Sequence, residues 1–145
     1  MAKIVVGVDG SEASLDALRW ALDEGRLRAA TVEVVLAWYS SAVTGLASVG
    51  AFPARELVEQ SARTQLDEIE ATAGLADLTD PVVHTRLVES HAAPALLEAA
   101  ADADLLVVGS RGHGAFSGML LGSVSQHCVT HAPCPVVVVP SPGAE

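Results

Sequence analysis

The sequence predicts an α/β protein with a doubly wound, five-stranded parallel sheet, on the strength of two patterns. Short β-branched runs alternate with longer segments of helical periodicity, in the order βαβαβαβαβ. A helix between successive strands requires parallel pairing, and strands nearly continuous in Val, Ile and Leu are typical of a sheet covered on both faces. The 145 residues suffice for a full core. We assign residues 1–140 to one domain and expect residues 141–145 to form a short disordered tail.

The first half of the chain carries two strand–helix units. The first strand is Ile4–Val8, and Ser11 is placed to cap the helix that follows it. That helix has an apolar stripe formed by Leu15, Leu18 and Leu22. The second strand is Val32–Ala37, and the second helix, Glu56–Ala73, ends at Gly74.

The second half continues the alternation. The predicted elements are a third strand, a third helix, a fourth strand, a fourth helix and a fifth strand: Val82–Val88, Ala93–Ala101, Leu105–Val108, Ser123–Ala132 and Val136–Val139. Pro94 is tolerated because it lies in the first turn of its helix.

The composition argues against some partners and locations. The formal net charge of −10 and the scattered Lys and Arg residues disfavour nucleic acid, whose phosphates require clustered cations. No apolar run approaches the roughly 20 residues that a membrane span needs, and the N-terminus opens into a strand rather than a signal peptide. We therefore expect a cytoplasmic protein that binds neither nucleic acid nor membrane.

The Cys and His residues do not by themselves predict a functional site. Cys128 and Cys134 are too few for a disulfide framework, and we expect reduced thiols in the core. His127 and His131, spaced i and i+4, are compatible with a metal pair. Exposed helix histidines are the favoured interpretation because a third ligand at a suitable spacing is missing. His113 lies in a glycine-rich loop and could reach either phosphate or solvent.

That glycine-rich loop is the strongest functional signal. Arg111 is the one formal charge between Leu105 and Ala144, and it lies within a cluster that includes Gly109, Gly112 and Gly122. Strand, glycine loop and helix follow one another, which is the arrangement that cradles phosphate. Glycine allows positive φ and close approach to a ligand. An ordinary tight turn is the alternative.

Two further features extend this site. Ser123 and Ser125 offer hydroxyls beside the N–H groups of a helix start. Asp9 and Gly109 follow the first and fourth strands, so they would converge at a ligand-binding edge if those strands are neighbours. The alternative for Asp9 is a turn or capping carboxylate beside Gly10. Because the protein is acidic, a phosphate site must depend on backbone N–H groups, Arg111 or a bridging Mg²⁺.

Standard nucleotide and catalytic motifs are absent from the sequence. A Walker A loop needs a lysine, and the chain has only Lys3. The first turn, Gly7-Val8-Asp9-Gly10-Ser11, is not a dinucleotide GxGxxG fingerprint. There is no GxSxG elbow and no HEXXH zinc site.

The segments IVVGVDGSEAS, VVGSRGHG and LLGSVSQHCVTHAPCPVVVV together resemble the universal stress protein family, over residues 3–139. The glycine pattern is similar to that of the branch that binds ATP. The resemblance implies a Rossmann-like sheet of order 3-2-1-4-5 and a homodimer. Ser90 departs from the family, many of whose members have glycine there, and this leaves the local loop shape open.

The resemblance also implies roles for individual residues. Asp9 would face the ribose or a bound Mg²⁺, and the backbone around Val8 and Ala37 would line an adenine pocket. The implied ATP-binding set is Gly7, Val8, Asp9, Ala37, Gly109, Arg111, Gly112, Gly122, Ser123, Val124 and Ser125. No catalytic residue is assigned.

We therefore expect an ATP-binding regulatory protein of the stress response, with Mg²⁺ accompanying the nucleotide. The alternative is a slow ATPase or a nucleotide-hydrolysing enzyme of the related adenine-nucleotide α-hydrolase type. A receiver-like phosphoacceptor is the weakest hypothesis, because the third strand ends in Val88-Glu89-Ser90 without an aspartate.

Two segments carry further expectations. Residues 40–52 are uncharged and small, and they could form either a lid over the ligand or a connection without a role. The strand Val136–Val139 would be an aggregation hazard as an open sheet edge, so we expect a homodimer paired through it.

Overall fold

The computed structural model describes residues 2–40, 54–112 and 121–140. Apart from Ser40, the loop considered as a lid lies outside the described residues. His113 and the tail at 141–145 lie outside them as well.

The described strands form one parallel sheet in the order β3-β2-β1-β4-β5, which confirms the predicted fold class and strand order. The strands are β1 Lys3–Gly7, β2 Thr31–Trp38, β3 Val83–Glu89, β4 Leu105–Gly109 and β5 Val136–Val139. The helices are α1 Glu12–Arg28, α2 Ala54–Ala73, α3 Ala92–Ala99 and α4 Ser123–His131. None of these helices combines the length and the apolar character that crossing a bilayer would require.

Element ends differ slightly from the predicted ones. β1 ends at Gly7, although the Val8 N–H still donates to the Val35 carbonyl at 3.0 Å. The third helix ends at Ala99 and continues as a 3₁₀ turn over Ala100–Asp102, which tightens the last turn where carbonyls lack helical partners. Such end effects depend on tertiary contacts and are weakly encoded in periodicity.

The sheet has helices on both faces, with α1 and α2 on one side and α3 and α4 on the other. Alternate residues along β1 separate the two cores, since Ile4 and Val6 face α1 and α2 while Val5 faces α3 and α4. Leu18 and Leu96 are buried helix residues of the respective cores. This double cover accounts for the continuous apolar character of the central strands.

The edge strands are less covered than the pattern predicts. In β3, His84, Thr85 and Arg86 are exposed, and every residue of β5 is half-buried. Charged side chains on an edge strand discourage pairing with another sheet. The two edges therefore differ in character, because β3 is polar and β5 consists of valines.

The two thiols lie in different environments. Cys128 is fully buried in α4, and burial raises the pKa of its thiol to about 11. Cys134, in the link between α4 and β5, is half-buried rather than buried as predicted. Both are free cysteines, as the sequence led us to expect.

A charged network lies on the α3 side of the sheet near its amino end. Arg86 Nη1 lies 2.6 Å from Glu33 Oε1, and Lys3 Nζ lies 3.1 Å from Glu33 Oε2. Glu33 is 8% exposed. Burial acts to raise the pKa of Glu33, but the hydrogen bonds from Arg86 and Lys3 outweigh it and hold the pKa below the ordinary 4.5. The carboxylate thus stabilises the folded state in its charged form.

Glu33→Gln tests this network. Because the folded-state pKa is lowered, the stabilisation is present above about pH 4.5 and is lost as the pH falls through the folded-state pKa. We expect the variant to lose about 1.5–3 kcal/mol of unfolding free energy at pH 7, the range for a hydrogen bond to a charged group. Its unfolding free energy should also fall less on acidification than that of the wild type, as measured by urea denaturation.

Glu68→Gln, which changes an exposed carboxylate of α2, is the matched control and should follow the wild-type pH profile. Parallel acid profiles for the wild type and Glu33→Gln would contradict the assignment.

Candidate functional site

A cavity of about 390 Å³ opens at the carboxyl end of the sheet. β1 pairs directly with β4, so the first and fourth strands are neighbours. This is the condition under which Asp9 and Gly109 were expected to converge. From β1 the chain crosses to β2 on one side, while β4 lies on the other. The cavity therefore lies at the point where the strand order reverses, the usual ligand position in such sheets. Its volume falls within the range of small-molecule sites, roughly 300–1,000 Å³.

The structure brings together every residue of the predicted binding set. All of them line this one cavity: Gly7, Val8, Asp9, Ala37, Gly109, Arg111, Gly112, Gly122, Ser123, Val124 and Ser125. They come from the ends of β1, β2 and β4 and from the start of α4, four separate segments of the sequence.

Sequence reasoning missed several lining residues: Ser11, Ser14, Val35, Ala92, Leu96 and Val108. The contribution of α3 depends on a close approach to β1. A Cβ on Gly7 would lie 2.7 Å from Leu96 Cδ1. The Leu96 side chain therefore fills the space that the glycine at the end of β1 leaves empty. The glycine at the end of the strand indicated in the sequence that another residue comes close. The sequence around Gly7 could not show that this residue is Leu96.

Asp9 lies in a tightly bonded turn. Its Oδ1 accepts the Ser11 N–H at 2.9 Å, and its own N–H donates to Ser14 Oγ at 3.2 Å. From α2, Gln65 Nε2 donates to the Asp9 carbonyl at 2.7 Å. Gly10 has φ 85°, which favours glycine. The turn role considered for Asp9 is therefore present, and it holds the carboxylate at the cavity wall.

The second carboxylate oxygen of Asp9 is directed at the glycine loop. A Cβ on Gly112 would lie 2.5 Å from Asp9 Oδ2, so this oxygen occupies the space that glycine leaves empty. One oxygen of the carboxylate thus serves the turn, and the other borders the cavity next to Gly112.

Of the two reasons given for the glycine pattern, positive φ and close approach, the structure supports only close approach. Among the described residues, the glycines with positive φ are Gly10 and Gly74, so the expectation of positive φ is wrong for Gly109, Gly112 and Gly122. Space is what these three positions require.

The contacts at these positions show how little space there is. A Cβ on Gly109 would lie 2.8 Å from the backbone carbon of Ala13 in α1, and one on Gly122 would lie 3.3 Å from Arg111 Cα. The glycines allow α1, the loop and α4 to meet at backbone distance.

The start of α4 faces the cavity. Gly122 is its N-cap and contributes no side chain, so the first N–H groups of this nine-residue helix depend on other acceptors. The helix dipole adds partial positive charge at the same point. Ser123 and Val124 occupy the first turn and line the cavity. This end of the cavity is suited to an anion.

The hydroxyl of Ser125 holds the helix in place. It is buried and donates to the Ser110 carbonyl at 2.9 Å and to the Gly122 carbonyl at 3.1 Å. The Gly122 N–H donates to the same Ser110 carbonyl at 2.6 Å. Ser125 thus joins α4 to the end of β4, and its N–H rather than its hydroxyl is what it can offer a ligand.

The cavity is chemically divided. Val8, Val35, Ala37 and Val108 give it an apolar part, while Asp9, Arg111 and the start of α4 give it a polar part. Arg111 is the cationic residue among the described lining residues. Such a lining can accept a flat apolar group at one end and an anionic group at the other.

Two pairs of side chains lie at the ends of β2 and β3. Tyr39 and His91 stack with ring centroids 4.1 Å apart. Arg55 at the start of α2 forms a two-point ion pair with Glu89, at 2.7 and 2.8 Å. Ser90 donates its N–H to the Trp38 carbonyl at 2.8 Å and extends the β2–β3 ladder.

The sequence profile of the universal stress protein family matches residues 1–140. The chain belongs to the universal stress protein family. Universal stress protein Rv2623 of Mycobacterium tuberculosis is 35% identical over 138 residues, which cover 94% of this chain and 46% of the relative. The chain thus spans about half the length of this curated relative.

Solved structures show the same fold. Universal stress protein UspA from Lactobacillus plantarum has a TM-score of 0.83 and 24% identity, and covers 95% of this chain and 97% of its own. A universal stress protein solved in complex with cAMP has a TM-score of 0.66 and 28% identity, and covers 95% of each chain.

Ser125→Ala tests the link between α4 and β4. The variant leaves the buried Ser110 carbonyl with one donor fewer, and we expect a loss of about 1–2 kcal/mol in unfolding free energy, measured by urea denaturation. Thr130→Ala is the matched control, because its hydroxyl donates to the Gln126 carbonyl on the exposed face of the same helix. The control should change the unfolding free energy by about 0.5 kcal/mol at most. Equal losses in the two variants would contradict the role of Ser125.

Proposed function

We propose that the cavity binds ATP together with Mg²⁺, and that the protein is an ATP-binding regulatory member of its family. The observation that carries the proposal is the division of the cavity. An apolar part formed by strand ends adjoins a polar part where the start of α4, Arg111 and Asp9 meet. This pairing matches a nucleotide, which has a flat base and an anionic tail.

Each part of the nucleotide has a proposed place. The base lies beside Val8 and Ala37, and the ribose faces Asp9. The phosphates lie at the first turn of α4, from Gly122 to Ser125, where N–H groups and the helix dipole favour negative charge. The relative solved with cAMP supports an adenine nucleotide as the class of ligand.

Local contacts must overcome the overall charge, since a protein of net charge −10 repels a free nucleotide. Arg111 supplies one cation next to the phosphate position. Mg²⁺ supplies more, and it typically takes one or two carboxylates together with phosphates and water. Asp9 fits this need as a single carboxylate. In residues 2–40, 54–112 and 121–140, no group of three or more His, Cys, Asp or Glu residues is arranged to hold a metal alone.

The regulatory part of the proposal concerns the loop around Arg111. The Gly122 N–H bonds to Ser110, and Arg111 Cα lies against Gly122, so a phosphate at the start of α4 acts directly on this segment. Nucleotide occupancy would then alter the surface that the protein shows to a partner. Binding, rather than chemistry, is the primary event.

Calorimetry with Mg-ATP, AMP and cAMP tests the ligand. We expect heat on titration with Mg-ATP and weaker binding of ATP when EDTA removes the metal. Gly112→Val should weaken Mg-ATP binding roughly tenfold or more, a change of about 1.4 kcal/mol, because its side chain would displace Asp9 Oδ2. Absence of heat with Mg-ATP in the wild type would overturn the proposal, and binding of AMP or cAMP alone would correct the ligand.

The control for this experiment is Gly74→Ala. Its Cβ would meet no atom within 4 Å, but φ 66° makes the substitution strained. It should therefore cost stability without changing nucleotide affinity, so that a loss seen only in Gly112→Val reports on the cavity. Phosphate release measured on the same proteins tests the alternative of slow hydrolysis, which predicts turnover in the wild type that Gly112→Val lacks.

The proposal includes a homodimer paired through β5. Leu106 donates its N–H to Pro135 and Ser110 donates to Val139, so odd-numbered residues of this strand bond to β4. The alternation directs the backbone groups of Val136 and Val138 away from β4. A valine strand with outward-facing backbone groups is a template for pairing with another strand. The same strand of a second subunit would supply hydrogen-bond partners for these groups.

Sedimentation at micromolar concentration tests the dimer. We expect a dimer for the wild type and a shift towards monomer for Val138→Pro, since proline has no N–H to donate. Thr85→Pro is the matched control at the opposite edge, where Val82 and Ser90 make the bonds to β2 and Thr85 alternates outwards. Circular dichroism confirms that each variant is folded. A monomeric wild type would refute the pairing.

A further inference from the structure

We propose that His127 and His131 form a binding site for a transition-metal ion on the exposed face of α4. The two side chains lie one helical turn apart, both are exposed, and their ring centroids are 4.4 Å apart. The rings are stacked with their planes inclined by 26°, so they are in contact, and a rotation of the side chains brings one nitrogen of each ring to a shared ion. An i, i+4 pair on one helix face presents two imidazoles to the same point in solvent.

The hydrogen bonding of His131 directs its other ring nitrogen outwards. Its Nδ1 lies 3.1 Å from the His127 carbonyl, and because a carbonyl oxygen can only accept, Nδ1 carries the proton. In the neutral ring Nε2 is then the nitrogen with a lone pair. A backbone carbonyl that accepts from one nitrogen while the other binds metal is the usual outer-shell arrangement of a histidine ligand.

The surroundings favour a cation. His131 is the last residue of α4, where the helix dipole is negative. The protein as a whole carries a formal charge of −10. Buried Cys128 belongs to the opposite face of the helix and takes no part.

Two ligands define what kind of ion and site this is. Imidazole nitrogen suits Cu²⁺, Ni²⁺ and Zn²⁺ and does not suit Mg²⁺ or Ca²⁺. Since no third His, Cys, Asp or Glu joins the pair among the described residues, the remaining coordination positions are left to water or to an external ligand. A site on this pair is thus an open two-histidine site and not a closed structural one.

Calorimetry on untagged, nucleotide-free protein tests the site with Cu²⁺, Ni²⁺, Zn²⁺ and Mg²⁺. We expect binding of the first three, tightest for Cu²⁺, and no heat with Mg²⁺. His127→Asn and His131→Asn should each weaken Cu²⁺ binding roughly tenfold or more, because even the loss of an outer-shell partner costs about that much. The electron paramagnetic resonance spectrum of bound Cu²⁺ should show coupling to two imidazole nitrogens in the wild type and to one in each variant.

Two controls isolate the pair. His84→Asn changes an exposed histidine of β3, and Cys134→Ser removes the half-buried thiol beyond α4. Neither should change Cu²⁺ affinity. Unchanged affinity in both α4 variants, or a loss in Cys134→Ser, would overturn the assignment. The outcome does not depend on nucleotide binding, because the cavity residues stay intact and no nucleotide is present.

Discussion

Close backbone contact at the carboxyl ends of β1 and β4 is the constraint on which the cavity depends. Gly109 touches the backbone of α1 at Ala13, and Gly112 leaves the space that the Asp9 carboxylate occupies. A side chain at either position would force one of these segments to move. The segments approach one another this closely because a glycine stands on one side of each contact.

The same contacts bring opposing electrostatic features together in an acidic protein. The Asp9 turn is held by Ser11, Ser14 and Gln65, and the start of α4 is held by Ser125 and the end of β4. These hydrogen bonds hold a carboxylate and a positively polarised helix end in fixed positions at the border of one cavity. N–H groups that are held in position attract an anion strongly at short distance. Their local attraction can therefore exceed the repulsion from the negative net charge of the whole protein.

The two sheet edges differ in a way that also follows from composition. Exposed His84 and Arg86 make β3 a poor template for pairing, whereas β5 offers only valines. Glu33 ties this polar edge to Lys3 at the sheet's centre through Arg86. The sheet therefore has a polar edge and an apolar edge on either side of the cavity.

The sequence by itself determined the order of the elements and the parallel sheet, and together with the family resemblance it indicated part of the set of residues that line the cavity. Those features are encoded locally, in hydrophobic periodicity and in the glycine pattern from Gly109 to Gly122, with the strand order implied by family resemblance. Tertiary structure alone decided why each glycine is needed, that Leu96 fills the space beside Gly7, and that the Ser125 hydroxyl is directed to Ser110. These contacts join residues far apart in the chain, and periodicity reports only which face a residue lies on, not which side chain it meets there.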